Sequence, residues 1–258
     1  MLSRLLDFFN VDRPWDVTWA HRVNSRAELE KYCASDVMMI EGDILVSGGA
    51  GKLFMSHSAP DQKDLALEEW LRRILEAGKG VKLDFKRLRS DQENPLVIEP
   101  YFKVLERVWD PRVPIILNAD VIQGPNGDRS EHVPLDPHEF IELYDEYRRR
   151  CNPDVILSLG WTTEYTEKGR YTSGMIEEML EVDSLHGGQV TFAVRASFVR
   201  NSWGRVRRLL NDPRHTLTVW ETKGASPELL SWMKRMLNPK KVFYDMADPT
   251  VLLSQKKG

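Results

Sequence analysis

The stretch Gly80-Val-Lys-Leu-Asp-Phe-Lys86 alternates apolar and charged residues over its length. Successive side chains of a β-strand point to opposite faces, so one face carries Lys82, Asp84 and Lys86 while the other is apolar. In an ordinary half-buried strand the charged face would be the solvated one. The preceding apolar segment of the chain argues for a different arrangement.

That segment runs from Val37 to Leu45, and its only charged residues are Glu41 and Asp43. These two acids also stand two positions apart, so they share one face of the predicted strand. Two strands that each present acids within an apolar run indicate a polar site shared in the interior of the fold.

The chain has 258 residues, of which 41% are hydrophobic, and this is enough to build one large core. No repeat, linker or low-complexity tract divides it, so we predict a single domain over residues 1–258. The formal net charge is −3, and no basic stripe is interleaved with aromatic residues. The sequence therefore gives no strong signal for nucleic-acid binding.

The next features concern the cellular compartment and the oligomeric state of the protein. Cys33 and Cys151 lie far apart and form neither a metal-type pair nor a disulfide framework, so an oxidising compartment is not required. No run of about 18 apolar residues predicts a membrane span. Residues 1–9 are too short and interrupted for a signal peptide and predict a packing helix, with a mitochondrial or membrane-surface role as the alternative. We expect a cytoplasmic protein; its oligomeric state is open.

Strand-like apolar runs alternate with helix-period runs along the whole chain, which is typical of β/α units around a parallel sheet. The eight predicted strands are Val17–Val23, Val37–Leu45, Val81–Lys86, Val113–Val121, Val155–Thr162, Val190–Ala196, Thr216–Thr222 and Val242–Met246. The clearest predicted helices are Ser25–Cys33, Leu65–Ala77, Pro95–Trp109, Pro137–Arg150, Ser173–Glu181 and one that begins at Ser226.

Eight such units in about 250 residues match the size and rhythm of a (β/α)8 TIM barrel, an α/β fold. An open, doubly wound sheet is the alternative, but no Gly-x-Gly-x-x-Gly follows the first strand. In a barrel, the chemistry lies at the C-terminal ends of the strands. Polar and aromatic residues collect there in nearly every predicted strand: His21, Glu41, Asp43, Asp84, Lys86, Asn118, Asp120, Trp161, Arg195 and Trp220.

Glu41, Asp43 and Asp84 would repel one another on adjacent strands unless a cation lay among them. An all-oxygen site of this kind suits Mg²⁺ or Ca²⁺ better than Zn²⁺. For a single acid, a solvated or ion-paired surface position is the simpler interpretation. Three acids at matched strand ends favour a site for one divalent cation.

His21 and His57 are the histidines next to this cluster in the chain. His57 follows a glycine-rich turn at residues 48–51, so we place it on a hairpin or loop that leaves the second strand. An imidazole has an unperturbed pKa of about 6.5 and exchanges protons near neutral pH. We predict that the pair supplies base and acid for displacement at phosphorus, with His21 favoured as the base.

Further residues are candidates for binding the phosphate or the rest of the substrate. Basic side chains would stabilise negative charge on phosphoryl oxygens, although pairing with the acids is the alternative. Lys82 is the weakest of them because it lies below Lys86 on the strand. Tryptophans could form an apolar wall, with core packing as the alternative. The set is Arg22, Lys82, Lys86, Asn118, Arg195, Trp161 and Trp220.

These motifs resemble those of known families. Trp19-Ala-His-Arg22, Ile40-Glu-Gly-Asp43 and His57 follow the His-Arg, Glu-x-Asp, His order of glycerophosphodiester phosphodiesterases, and Asp84-Phe-Lys86 is similar to the Asp-x-Lys of spider-toxin-type phospholipases D. The narrower resemblance is to the menorin-like family. It is carried by Gly80-Val-Lys-Leu-Asp-Phe-Lys86, Asn118-Ala-Asp120, Gly124-Pro-Asn-Gly127, Ser158-Leu-Gly-Trp-Thr-Thr163 and Val242-Phe-Tyr-Asp245.

The resemblance spans nearly the whole chain and implies a barrel of the phospholipase C-like phosphodiesterase type. It implies that the three acids match the metal ligands, that the two histidines match the acid/base pair, and that Lys86 matches the phosphate-side lysine. Val23 and Ser58 stand where the phosphodiesterases usually have Gly and often Asp. Those positions shape the substrate pocket, so the resemblance does not define the substrate.

Three functional hypotheses follow. The first is a divalent-metal phosphodiesterase that cleaves a glycerophosphodiester or a phospholipid-like diester. The second is a binding or scaffold protein on the same barrel, which would be expected to have lost some of the five core residues; none is missing. The third is a phosphodiesterase that acts on nucleotides or nucleic acid, which the net charge of −3 disfavours.

Overall fold

The computed structural model describes residues 2–46, 53–58, 64–94, 97–222 and 225–246. One sheet forms its centre, with eight parallel strands and a short antiparallel strand, β5, attached to β3. The strands are β1 (Trp19–Ala20), β2 (Met39–Leu45), β3 (Gly80–Leu88), β4 (Ile115–Gln123), β5 (His132–Val133), β6 (Ile156–Thr162), β7 (Val190–Arg195), β8 (Thr216–Glu221) and β9 (Val242–Met246).

The parallel strands follow chain order from β1 to β9, with β5 outside the path, and β9 lies beside β1. The sheet is therefore a nearly closed barrel, and the predicted α/β class and (β/α)8 arrangement are confirmed. Helices alternate with the strands: α1 (Leu2–Phe9), α2 (Arg26–Cys33), α3 (Leu67–Glu76), α4 (Glu99–Val108), α5 (Pro137–Arg150), α6 (Ser173–Asp183), α7 (Ala196–Val206) and α8 (Pro227–Met236).

Local sequence sets several helix starts. Ser25 accepts a hydrogen bond from the backbone N–H of Glu28, and the Glu28 carboxylate accepts one from the backbone N–H of Ser25, which forms a complete capping box before α2. Ser226 caps α8 in the same sense, with Pro227 in the first turn, as predicted. Helix α1 packs through Leu5 against a separate apolar cluster that includes Trp19. The predicted packing helix at the N-terminus is thus confirmed.

The alternating stretch on β3 explains how the barrel acquires a polar interior. Its apolar residues face the helices, where Phe85 packs against the rings of Phe102 and Phe140 at 5.8 and 5.4 Å. On the opposite face, Lys82 reaches Asp245 on β9, a strand that is not a neighbour of β3. Such a contact is possible only through the middle of the barrel, so the charged face points inward.

Several boundaries differ from those predicted, and neither strand β5 nor helix α7 was among the predicted elements. Strand β1 covers only Trp19–Ala20, and β5 was not predicted because a two-residue strand carries no periodic signal. The predicted glycine-rich turn at 48–51 and the predicted helix start at Pro95 lie outside the described residues. In the part of the chain that the structure describes, no helix has the length and apolar character needed to cross a bilayer. The predicted compartment stays a prediction.

A steric constraint between β2 and α3 yields the first test. Gly42 lies between the two acids of β2, and a Cβ at this position would be 2.6 Å from Met55 Cε and 2.9 Å from Trp70 Cζ2. Trp70 is fully buried and hydrogen-bonds the backbone oxygen of Val23, so its ring has little room to move. We expect Gly42→Ala to lower the free energy of unfolding by about 1–3 kcal/mol in urea denaturation.

Gly204 is a matched control, because its added Cβ would meet no atom within 4 Å in helix α7. Gly204→Ala should leave the stability unchanged or raise it by up to about 1 kcal/mol, since alanine favours helix. Equal effects of the two substitutions would contradict the proposed steric role of Gly42.

Candidate active site

A row of polar side chains crosses the barrel in register. Asp43 on β2 pairs with Asp84 on β3, Asp84 with Asn118 on β4, and Asn118 with Ser158 on β6. The Ser158 hydroxyl donates to Asn118 Oδ1, and Asn118 Nδ2 donates to Asp84 Oδ1, both at 2.6 Å. This chain of hydrogen bonds fixes the orientation of the Asp84 carboxylate. Ser158 belongs to a quoted family motif but was not predicted as a site residue, because its role depends on this register.

The three predicted metal ligands converge in the barrel. One oxygen from each of Glu41, Asp43 and Asp84 lies within 4.8 Å of those of the other two, and all three residues are buried. Burial raises the pKa of Glu41 to about 8, although the neighbouring His21 acts to lower it. Burial also raises the pKa of Asp84. The electrostatic cost of placing these carboxylates together is therefore substantial.

The donor set fits a hard divalent cation. Glu41 Oε1 is buried and has no hydrogen-bond partner, whereas the other oxygen, Oε2, accepts the backbone N–H of Arg22 at 2.5 Å. A buried carboxylate oxygen without a hydrogen bond is costly, and this one belongs to an all-carboxylate group of the kind that Mg²⁺ and Ca²⁺ prefer. Asn24 supports the second acid by donating from Nδ2 to Asp43 Oδ2 at 2.7 Å.

The His21 ring is held between two acids. His21 Nδ1 is 2.9 Å from Asp245 Oδ1 and 3.2 Å from Glu41 Oε2. Burial alone would lower its pKa, but the Glu41 and Asp245 carboxylates outweigh burial and raise the pKa of His21 to about 9. The imidazolium form is thus stabilised, and Nε2 is left as the nitrogen that can exchange a proton with a substrate.

Lys82 and Asp245 form an ion pair beneath the site. Lys82 Nζ is 2.8 Å from Asp245 Oδ2 and 3.9 Å from Glu41 Oε1, and the lysine is 1% exposed. Burial on its own would lower the pKa of Lys82, but Asp245 and Glu41 outweigh it and the pKa is raised. Lys82 therefore compensates buried carboxylates rather than facing the cavity. Asp245 was missed because its partners come from the opposite end of the chain.

Arg22 adopts an uncommon backbone conformation, with φ at +60°. This conformation coincides with the hydrogen bond from its N–H to Glu41, and its side chain lines the open cavity. The left-handed backbone of Arg22 was not predicted, because such a conformation is uncommon for a residue other than glycine.

His57 lies on the segment that returns beside β2. The backbone N–H of Ser56 donates to the carbonyl oxygen of Asp43 at 2.9 Å, and Met55 forms an antiparallel bridge with Ile44. This agrees with the predicted hairpin or loop. Burial lowers the pKa of His57 to about 4, with Asp43 opposing the shift. The His57 ring is thus close enough to the acidic cluster for the Asp43 carboxylate to affect its pKa.

A cavity of about 940 Å³ opens above the acidic cluster. Lys86 links the two, because its Nζ is 2.9 Å from Asp84 Oδ2 and 3.0 Å from Asp120 Oδ2. The predicted substrate residues that line the cavity are Arg22, Lys86, Arg195 and Trp220, together with His57.

Arg195 and Trp220 form one wall of this cavity. The Arg195 guanidinium carbon is 5.1 Å from the Trp220 ring centre, and Arg195 Nε donates to Glu221 Oε1 at 2.8 Å. On the other side, the Trp220 ring stacks on His21 with centroids 6.4 Å apart. Of the two tryptophans predicted for an aromatic wall, Trp220 therefore lies at the cavity, between Arg195 and His21.

Three predicted substrate residues do not line the cavity. Lys82 and Asn118 are buried below it and contact Asp245 and Asp84, as described above. Trp161 is 1% exposed and packs against Tyr171 with ring centres 5.0 Å apart. Trp161 is therefore a core residue, which was the alternative interpretation of the tryptophans. Together with Tyr171 it fills space behind the strand ends.

The fold defines the class: a (β/α)8 barrel, shared with solved phosphodiesterases. A phosphodiesterase from Oleispira antarctica, solved with its product sn-glycerol-3-phosphate, shares the fold with a TM-score of 0.57 and 14% identity, over 93% of this chain and 96% of that one. A putative glycerophosphoryl diester phosphodiesterase from Agrobacterium tumefaciens gives 0.53 and 10%, over the same shares of the two chains.

Within this class the family is defined by sequence. Residues 14–251 match the model of the Menorin N-terminal domain. The human protein FAM151B is 34% identical over 244 residues, which cover 91% of this chain and 83% of the human one. The chain belongs to the Menorin N-terminal domain family, as its motifs predicted.

The buried ion pair beneath the site can be tested by stability. Lys82→Met would leave Asp245 and Glu41 without their compensating charge, so we expect a loss of about 3–5 kcal/mol in the free energy of unfolding, measured in urea. Lys103→Met is the matched control, because the pair between Lys103 and Glu99 is exposed, and it should change the stability little. Similar losses in both variants would show that Lys82 has no special structural role.

Proposed function

We propose that the protein is a divalent-cation-dependent phosphodiesterase that cleaves a glycerophosphodiester or phospholipid-like diester. The observation that carries this proposal is the convergence of Glu41, Asp43 and Asp84 within 4.8 Å, with one carboxylate oxygen that has no hydrogen bond, beneath a cavity whose lining includes Arg22 and Lys86. The fold shared with phosphodiesterases supports the assignment of the reaction class. We also propose that residues 1–258 form one domain, since the barrel uses strands from both ends of the chain.

The three acids would hold one Mg²⁺ or Ca²⁺. When bound, the cation would neutralise negative charge on a non-bridging phosphate oxygen. Lys86 and Arg22 line the cavity and would place further positive charge against the phosphate. Arg195 and Trp220 would contact the remainder of the substrate from the opposite wall.

His21 is proposed as the base. Asp245 holds Nδ1 and stabilises the imidazolium that forms when Nε2 takes a proton from the attacking hydroxyl or water. Neutralisation of Glu41 by the cation would lower the high pKa of His21 and favour the neutral, proton-accepting ring.

His57 is proposed as the acid that protonates the leaving oxygen. It lines the cavity, and an anionic phosphodiester beside the ring would raise its low pKa and favour the protonated form. Attack by a hydroxyl of the substrate would give a cyclic phosphate, whereas attack by water would give a monoester. Product analysis by phosphorus NMR distinguishes the two.

Hydrolysis of a chromogenic phosphodiester tests the reaction class. We expect turnover by the wild type in Mg²⁺, Ca²⁺ or Mn²⁺ that is abolished by chelation and falls at least about 100-fold in His21→Ala. His138→Ala, an exposed position on α5, is the control and should keep wild-type turnover. Metal-dependent turnover that persists in His21→Ala would contradict the proposed base.

Cation binding is tested separately by calorimetry without substrate. We expect one Mg²⁺ or Ca²⁺ to bind the wild type, and we expect this binding to be lost in Asp84→Asn because a charged ligand is removed. Asp12→Asn, at an exposed position outside the cluster, should bind as the wild type does. If neither turnover nor cation binding were observed, the enzyme proposal would be wrong and a binding protein on the same barrel would replace it.

A further inference from the structure

A second group of potential metal ligands lies at the cavity wall and is not part of the acidic cluster. It consists of His57, Glu131 and His132, and one ligand atom from each lies within 4.8 Å of those from the other two. Glu131 Oε1 is 3.5 Å from His57 Nδ1 and 4.0 Å from His132 Nε2. All three residues line the cavity, so an ion in solution can reach them.

Strand β5 fixes one half of this group. His132 pairs with Leu88 at the end of β3, and the backbone N–H of Arg89 donates to the carbonyl oxygen of Glu131 at 2.8 Å. The Arg89 side chain also donates to the carbonyl oxygens of Ser130 at 3.0 Å and Gly127 at 2.9 Å. The backbone that carries Glu131 and His132 is therefore anchored from several directions.

The other half is fixed through β2. His57 follows Ser56, whose backbone N–H donates to the carbonyl oxygen of Asp43. The carbonyl oxygen of His57 is 2.7 Å from His132 Nε2. The two imidazole rings meet edge to face with centroids 4.7 Å apart. Two anchored segments thus present their histidines to each other before any ion binds.

The chemistry of this group differs from that of the acidic cluster. Two imidazoles and one carboxylate suit Zn²⁺, whereas three carboxylates suit Mg²⁺ or Ca²⁺. Zinc bonds of about 2.0–2.1 Å in a tetrahedron separate neighbouring ligand atoms by about 3.3 Å. The two separations that involve Glu131 are 3.5 and 4.0 Å, and all three ligand atoms lie within 4.8 Å of one another, so side-chain movements of about 1 Å would complete the geometry.

We propose that His57, Glu131 and His132 form a zinc site at the wall of the cavity, separate from the Glu41 cluster. Binding replaces the hydrogen bond from His132 Nε2–H to the carbonyl oxygen of His57 with a metal–nitrogen bond, and the ring proton moves to Nδ1, which leaves the imidazole neutral. The hydroxyl of Ser58, 2.9 Å from Glu131 Oε1, is displaced in the same step. Because zinc occupies His57, it inhibits proton transfer by that residue; this consequence alone rests on the proposed function.

Calorimetric titration of the full chain with Zn²⁺, in excess Mg²⁺ and without substrate, tests the site. We expect one Zn²⁺ to bind the wild type and the affinity to fall about tenfold or more in Glu131→Gln and in His132→Ala. Glu164→Gln, at another carboxylate that lines the cavity, is the matched control and should bind Zn²⁺ as the wild type does. Asp84→Asn should also retain Zn²⁺ binding, since it alters only the acidic cluster.

Cobalt provides an independent readout of coordination. Co²⁺ in the wild type should give the intense visible absorption of a tetrahedral site, and Glu131→Gln should reduce this absorption. Glu131 is half exposed, so this variant should fold even if His132→Ala does not. Equal Zn²⁺ affinity in wild type and Glu131→Gln, or loss of Zn²⁺ binding in Asp84→Asn, would overturn the proposal. An absence of turnover would contradict only the proposed function, because this titration contains no substrate.

Discussion

The burial of negative charge inside the barrel is the constraint on which the rest of the structure depends. Glu41, Asp43, Asp84 and Asp245 are each at most 6% exposed, and carboxylates in such surroundings are costly unless they are paired or coordinate a cation. The positive charge of Lys82 compensates Asp245, and that of Lys86 compensates Asp84. Between the two lysines, one oxygen of Glu41 has no hydrogen bond, and a cation bound there would complete the compensation of charge.

This balance also organises the candidate catalytic groups. The Glu41 carboxylate contacts His21 on one side and the N–H of Arg22 on another, so the first strand–helix connection is tied to the acidic cluster. Asp245 joins His21 and Lys82, which brings the last strand to the first and third. Closure of the barrel and assembly of the site therefore use the same side chains, and a change in one affects the other.

The cavity above the cluster is built by the ends of barrel strands together with parts of the chain outside the regular barrel. Strand β5 and the segment that contains His57 form one wall, and the end of β7 with Trp220 forms the other. Together they carry imidazole, carboxylate, guanidinium and aromatic groups. Under the proposed function these groups would contact the substrate, and they include the second group of potential metal ligands, whose chemistry is unlike that of the barrel interior.

The sequence by itself determined the barrel class, the family and the inward-facing acids, because the alternation on β2 and β3 places charges at fixed positions on one face of each strand. It also indicated His21 and His57. Tertiary structure decided which partners those charges have. Asp245 and Ser158 act through register and closure, which bring residues distant in sequence together. It also decided that Lys82, Asn118 and Trp161 lie below or behind the cavity, since the depth of a side chain in a barrel depends on the packing of all eight strands.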